Sequence, residues 1–274
     1  MKELTLQELK EVEFEILKVF DAFCKENNIT YYLSHGTLIG AVRYKKFIPW
    51  DDDIDIGMPR DDYEKFIEVA NKELKQPFFC SCFNEKHHNG YCCRVVDKNI
   101  VVCRDDAMVK KKENLWIDVF PLDGMPNNCF TRFFHKNILL FLRLLLQYSK
   151  FKNGINMKKK RNIVEIIFIK LGYVVSKVCC FDVKKRLLAI DKTLRRYNYD
   201  TSDYVVNFMG AYKFKEMFPR KLYEEVVEYQ FEDLMLCAPK DYDVVLSQMY
   251  GDYMTPPKKD KRYGHDKDND IIYQ

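Results

Sequence analysis

Apolar positions recur along this chain with two different periods, and the switches between them mark its elements. Leu6, Leu9, Ile16, Val19, Phe20 and Phe23 return at helical spacing, and Thr5 with Glu8 has the form of a capping box. Together they predict an amphipathic helix over 5–27. Ile29 to Ser34 is short and rich in β-branched and aromatic residues, which predicts a first strand. A turn at Gly36-Thr37 closes it, and one or two helical turns follow from Leu38 to Tyr44. Period-two alternation takes over at Asp51 to Ile56. Read as a strand, it places Asp51, Asp53 and Asp55 on one face and turns Ile54 and Ile56 into the core. Gly57-Met58-Pro59 would end that strand, and Pro59 would open a helix over about 60–75 with a stripe of Tyr63, Phe66, Ala70 and Leu74.

Short strands are predicted over Phe78–Phe83, Tyr91–Val96 and Ile100–Arg104, with Asp97-Lys98-Asn99 as the hairpin turn between the last two. A further apolar run, Leu115 to Gly124, holds Asp118 between Ile117 and Val119, and Asp123-Gly124 reads as a turn. Phe130–Tyr148 and Ile163–Phe181 read as apolar helices separated by Lys158-Lys159-Lys160-Arg161, and Val183–Tyr197 as a basic helix. Tyr204–Phe208 and Phe231–Leu236 are candidate strands with a helix at Tyr223–Glu228 between them, before a final helix ending at Tyr250-Gly251. The order of elements predicts an α/β fold: a mixed sheet with flanking helices and a helical basic insertion. Residues 1–129 would form the catalytic core, 130–200 the insertion, and 201–274 the part that completes the catalytic unit.

Composition narrows the class. The 274 residues are 47% hydrophobic and 31% charged, as in soluble globular proteins. The start, MKELTLQELKEVE, is acidic and amphipathic rather than an apolar leader, and no long uncharged apolar run exists, so a cytoplasmic protein is expected. Ten cysteines in that setting read as reduced thiols. Cys80, Cys82, Cys92 and Cys93 either converge on neighbouring strands as a zinc site or are small core residues; no Cys-x-x-Cys knuckle exists, and adjacent cysteines point to opposite faces of a strand. The net charge of +4 hides an asymmetry: residues 131–200 hold 17 Lys and Arg against four acids, a balance of +13 that leaves −9 elsewhere. The insertion is therefore either a core-packing helical unit or a basic, apolar surface lying on the anionic face of a membrane.

The aspartates carry the chemistry. Asp53 and Asp55 on one strand face would stand roughly 6.5–7 Å apart, and nothing beside them in sequence neutralises the repulsion. A solvated acidic turn is one reading. The other is a hard divalent cation, held by one or two carboxylates together with substrate phosphates. Pro49 and the glycine of Ser34-His35-Gly36-Thr37, where backbone can approach a phosphate, favour the second. Arg43, Lys45 and Lys46 form either a solvated loop or a clamp for a pyrophosphate. Asp118 follows Asp55 by 63 residues and is costly on a buried strand unless paired or bound to metal. Of five histidines only His35 lies beside these residues, and no Ser-His-Asp or His-x-x-His spacing occurs, which disfavours hydrolases and zinc enzymes.

Gly36-Thr37-Leu38-Ile39-Gly40-Ala41-Val42-Arg43 and Phe47-Ile48-Pro49-Trp50-Asp51-Asp52-Asp53-Ile54-Asp55-Ile56 resemble the signature of the LicD family, phosphocholine transferases related to fukutin and the fukutin-related protein. Ile117-Asp118-Val119-Phe120-Pro121-Leu122-Asp123-Gly124 and Gly251-Asp252-Tyr253-Met254-Thr255-Pro256-Pro257 extend the likeness, whereas the middle third carries no such signature. The resemblance implies a nucleotidyltransferase-like sheet in which Asp53, Asp55 and Asp118 hold Mg²⁺ or Mn²⁺. It implies substrate contacts from Gly36, Thr37, Arg43, Trp50 and Arg94; read alone, Arg94 is equally a surface residue of its strand. Tyr253 either meets a base or quaternary ammonium or packs at a helix end. The implied reaction moves a phospho-alcohol, phosphocholine first among them, from a CDP-alcohol such as CDP-choline to a hydroxyl of a cell-surface glycan or teichoic-acid-type precursor, releasing CMP. An acceptor on a lipid carrier would place the protein at the inner face of the membrane. A nucleotidyltransferase passing NMP from an NTP would use the same carboxylates. A non-enzymatic membrane or nucleic-acid binder would not, since three carboxylates repel phosphates, and no nucleic-acid partner is expected.

Overall fold

The structure, a computed structural model, describes residues 5–83, 88, 90–106, 109–150, 182–258 and 262. In chain order it contains α1 (Leu6–Glu26), β1 (Tyr32–Leu33), α2 (His35–Tyr44), β2 (Asp55–Pro59), α3 (Arg60–Glu73), β3 (Phe78–Ser81), β4 (Cys93–Asp106) and β5 (Val109–Met125). The chain continues with α4 (Cys129–Lys150), α5 (Val183–Leu194), β6 (Tyr204–Val206), β7 (Met217–Pro219), β8 (Val226–Phe231), β9 (Leu234–Pro239) and α6 (Tyr242–Tyr250). The main sheet runs β1-β2-β5-β4-β3, with β6 added at the far end of β5 and β7 beside β6. Only β2 and β5 are parallel; the other pairs are antiparallel. This is the mixed α/β sheet with flanking helices that the periodicity predicts.

The capping box of α1 forms as expected, with the Thr5 side chain on the Glu8 N–H and the Glu8 carboxylate on the Thr5 N–H. Its buried stripe of Leu9, Ile16, Leu17, Phe20 and Cys24 packs with Phe66 of α3 against Ile54, Ile56, Ile117 and Val119 on one face of the sheet. Phe231, Leu236 and Leu246, from the C-terminal part, belong to the same core. Burying such side chains stabilises by about 1.5–3 kcal/mol each.

Several elements differ from the sequence reading, for local reasons. The aspartate strand begins at Asp55 rather than Asp51, because the ladder starts where Asp118 N–H reaches Ile54 O (2.9 Å) and Ser34 N–H reaches Asp55 O (3.0 Å). Gly57-Met58-Pro59 forms the last three residues of that strand, which ends at Pro59 where α3 begins, as expected. Gly36-Thr37 is not a free turn but the first turn of α2. Asp97-Lys98-Asn99 does not reverse the chain. It is a bulge in one long strand, β4, where the Asp97 carboxylate accepts the Asn99 N–H and Asn114 of β5 donates to the carbonyls of Lys98 and Ile100. Asp123-Gly124 also stays in strand, paired with Val206 and Val205. Downstream, the predicted helix at Tyr223–Glu228 is absent: Tyr223 ends a 3-10 turn and β8 begins at Val226. The run Phe231–Leu236 is broken by a turn at Glu232-Asp233, where Glu232 adopts φ 54°.

In the insertion, α4 and α5 match two predicted helices; Ile163–Phe181 and Lys158–Arg161 lie outside the described residues. Three basic side chains of α4 face inward: Arg143 donates to the carbonyls of Phe208 and Gly210, Arg132 lies 4.5 Å over the Tyr204 ring and Lys136 4.9 Å over Phe214. The phenylalanines face out, with Phe130, Phe133 and Phe141 at 68%, 61% and 59% exposure. Among the described helices none is long and apolar enough to cross a membrane.

Candidate active site

Four strands bring one polar row onto the sheet face opposite α1. Ser81 of β3 stands in register with Arg94 of β4, Arg94 with Asp118 of β5, and Asp118 with Asp55 of β2. Side chains in register share a face and stand about 4.7–4.9 Å apart at the backbone, so Asp55 and Asp118 are immediate neighbours. Arg94 Nε donates to Asp118 Oδ1 (3.1 Å), the Cys92 thiol donates to the same oxygen (3.2 Å), and the guanidinium rests 3.8 Å over the Trp116 ring.

This row forms the floor of a cavity of about 620 Å³. Asp51, Asp53, Asp55 and Asp118 line it together with Glu13, Arg94 and His35, and Trp116, Phe120, Tyr212 and Tyr250 supply aromatic walls. The loop carrying Asp51 to Asp53 is anchored from behind by the buried Lys10, whose ammonium donates to the carbonyls of Ile48 (2.8 Å) and Pro49 (3.1 Å). Thr37 is buried and its hydroxyl accepts the Asp55 N–H (2.9 Å), tying the first turn of α2 to the strand. Gly36 lines the cavity, and a Cβ there would lie 2.4 Å from Asp51 Oδ2; the absent side chain is what lets that carboxylate sit against the start of α2.

His35 makes the link to the distant C-terminal part. It adopts φ 45°, a conformation uncommon for a non-glycine residue, and its ring bridges two carboxylates. Nε2 is 2.9 Å from Glu216 Oε2 and Nδ1 is 3.4 Å from Asp55 Oδ2. Burial works against the imidazolium, but Asp55, Glu216 and Asp53 outweigh it and hold its pKa up at about 9. Burial pushes Asp55 up to about 8; His35 pulls it back, while Asp53, Asp118 and Asp51 push it further. A carboxylate cluster with too little positive charge takes up protons, and a cation would supply that charge instead.

An all-oxygen donor set on two adjacent strands fits a hard cation such as Mg²⁺ or Mn²⁺. Among the described residues no three of these carboxylates offer oxygens all within 4.8 Å of one another. The carboxylates are therefore not drawn together into a closed protein cage.

Four residues singled out from the sequence stand away from the cavity wall, the first being Thr37, buried on the Asp55 N–H. Arg43, in the last turn of α2, donates to the Tyr253 carbonyl (2.5 Å) and stacks on Tyr44 (4.6 Å). Tyr253 is buried and its hydroxyl donates to Asp243 (2.6 Å). Trp50 is half-buried between the ring of Tyr44 and the guanidinium of Arg262. Sequence reasoning missed Trp116 and Phe120, although both follow from period two around Asp118. It also missed Lys10, Glu13, Tyr212, Glu216 and Tyr250, whose approach is purely tertiary. Of the four cysteines considered for zinc, Cys80, Cys82 and Cys93 converge on the core side of the sheet, and Cys92 faces Asp118.

The sequence profile described as LicD/FKTN/FKRP, nucleotidyltransferase domain, matches residues 28–138. A Haemophilus influenzae protein named lipopolysaccharide cholinephosphotransferase LicD is 30% identical over 273 residues, covering 97% of each chain. An uncharacterised Rickettsia typhi protein is 28% identical over 130 residues, 47% of this chain and 37% of its own. Mannosyltransferase regulator 4 of Saccharomyces cerevisiae is 36% identical over 59 residues, 22% of this chain and 5% of its own.

Proposed function

This chain belongs to the LicD/FKTN/FKRP family, and from that premise we propose that it transfers phosphocholine from CDP-choline to a hydroxyl of a lipopolysaccharide-type glycan, releasing CMP, with a divalent cation bound at Asp53, Asp55 and Asp118. The observation that carries the reading is the in-register placement of Asp55 and Asp118 on parallel neighbouring strands, under a cavity lined by further carboxylates and by Arg94. Bound there, Mg²⁺ or Mn²⁺ supplies the charge that neutralises a pyrophosphate and stabilises the departing CMP.

The chain's own residues do the rest. Arg94 fixes Asp118 and presents the remaining guanidinium N–H groups to phosphate oxygens. His35, held by Glu216, keeps Asp55 oriented. A carboxylate of the cluster not engaged by the cation takes the proton of the acceptor hydroxyl. Tyr212 and Tyr250, 5.3 Å apart in an edge-on pair, form an apolar wall suited to a quaternary ammonium. The exposed phenylalanines of α4 are the surface by which the protein would approach a lipid-linked acceptor at the membrane, with Arg132, Lys136 and Arg143 turned inward beneath them.

The test is release of CMP from CDP-choline in the presence of a glycan acceptor, with Mg²⁺ or with EDTA, for the wild type and Asp55→Asn. Activity lost in the variant and in EDTA supports the reading. Undiminished release by the variant contradicts the metal role, and pyrophosphate release from CTP in preference to CMP release would make the protein a nucleotidyltransferase.

A further inference from the structure

The face of the sheet turned away from the cavity carries a second constellation that phosphoryl transfer does not use. Cys80 lies in β3, Cys82 just past its last residue, and Cys93 opens β4 beside them, and all three side chains belong to the core. They are 4%, 4% and 0% exposed. Their sulfurs all lie within 4.8 Å of one another, with Cys80 Sγ 3.7 Å from Cys82 Sγ and 2.9 Å from Cys93 Sγ. Three thiols so close are more than apolar packing requires: a hydrophobic core at this point is served as well by Val or Ala, neither of which brings three polarisable, ionisable atoms together.

We propose that Cys80, Cys82 and Cys93 form a thiolate site for one Zn²⁺ ion, which staples the short edge strand β3 to β4 directly behind Arg94 and Asp118. Zinc binds cysteine sulfur at about 2.3 Å in tetrahedral geometry, which sets neighbouring sulfurs about 3.8 Å apart. The Cys80–Cys82 pair already has that separation, and Cys93 has to withdraw from Cys80 by under 1 Å, within the reach of side-chain rotation. Tyr63 is buried in the same core cluster as the three cysteines, and its phenol is the oxygen assigned to the fourth position. Cys92 is excluded: it faces the cavity and donates to Asp118. Soft sulfur donors select zinc here, whereas the all-oxygen cluster on the other face selects Mg²⁺ or Mn²⁺. One sheet would thus separate two metals by ligand chemistry.

The proposal is independent of the transferase reading and is tested without activity. The full-length protein, purified without chelator or metal, is analysed for zinc by elemental mass spectrometry and, after exchange, for cobalt by absorption. The expected result is about one zinc per chain and a thiolate-to-cobalt charge-transfer band in the near ultraviolet. Both should be lost in Cys82→Ser and kept in Asp55→Asn, which alters only the other face. Because Cys82 is a core residue, Cys92→Ser serves as a second variant in the same region and should keep the band. Wild-type protein that is folded, free of zinc and without a cobalt band would overturn the proposal, as would a Cys80–Cys93 disulfide found by mass spectrometry under non-reducing conditions.

Discussion

Two buried clusters of charge stand on this sheet, and they are balanced differently. At the end of β2 and β5 remote from the cavity, Arg60 donates to both oxygens of Asp123 (2.6 and 2.8 Å) and to Asp191 (3.3 Å), while Tyr91 hydroxyl and Arg195 complete Asp191. Two cations meet two buried carboxylates and the exposed carboxylate of Glu64 at the rim, and each buried carboxylate has several donors. Around Asp55, four aspartates and Glu13 face Arg94 and His35 inside the cavity, with the Lys10 ammonium behind the aspartate loop, so negative charges outnumber positive ones among the described residues. The closed network joins α3, β5 and α5. The cluster left short of positive charge lines a cavity. An incomplete charge balance on a rigid sheet is what marks the functional site here.

The contrast is open to test by substitution, and the two clusters should respond with opposite signs. Asp55→Asn is expected to lower the rate of CMP release by at least about 10²–10³-fold, yet to raise the metal-free thermal midpoint by roughly 2–5 °C, since it relieves repulsion. A melting curve beside the activity assay reads both. Arg60→Met should do the reverse: it leaves Asp123 and Asp191 buried without their cation and costs about 3–5 kcal/mol in urea denaturation, with kcat at saturating donor little changed in whatever protein remains folded. Equal destabilisation by the two variants would erase the distinction.

Gly36→Ala sharpens the comparison. The added methyl falls 2.4 Å from Asp51 Oδ2 and must displace that carboxylate, while alanine raises helix propensity by about 1 kcal/mol. Stability should hold while activity falls by about tenfold, a split visible in paired melting and rate measurements. The smallest effect concerns α4. His135 is buried against the Tyr197 ring (5.0 Å), its Nε2 has no hydrogen-bond partner among the described residues, and burial, then Arg196, holds its pKa down at about 4. The unfolded chain binds that proton near pH 6.5, so the folded state is disfavoured as pH falls from about 6.5 towards 4. The thermal midpoint should decline over that window, and less steeply in His135→Gln.

Legibility in the sequence followed the range of the interactions. α1 with its capping box and the buried stripe of α3 were readable because spacing and caps are local. The membership of the family was readable because Trp50 to Ile56 and Ile117 to Gly124 are contiguous. The carboxylates met in one cavity as their alternation suggested, although Asp51 and Asp53 stand in a loop rather than a strand; backbone pairing, invisible in one sequence, decides where the ladder starts. The bulge at Asp97 needed Asn114 from the next strand, and Asp123 looked like a turn residue because its partner Arg60 lies 63 residues earlier. Glu216 had no local signal at all, since it acts only by reaching His35 across 181 residues.

The central claim is that the undercompensated carboxylates hold a cation together with a CDP-alcohol. Calorimetric titration with CDP-choline, in Mg²⁺ and in EDTA, with CTP, CDP-ethanolamine and CDP-glycerol as competitors, tests it most directly. The account predicts binding of CDP-choline that needs Mg²⁺, exceeds that of CTP, and disappears in Asp55→Asn. Binding of equal strength in EDTA, or retained in Asp55→Asn, would contradict it.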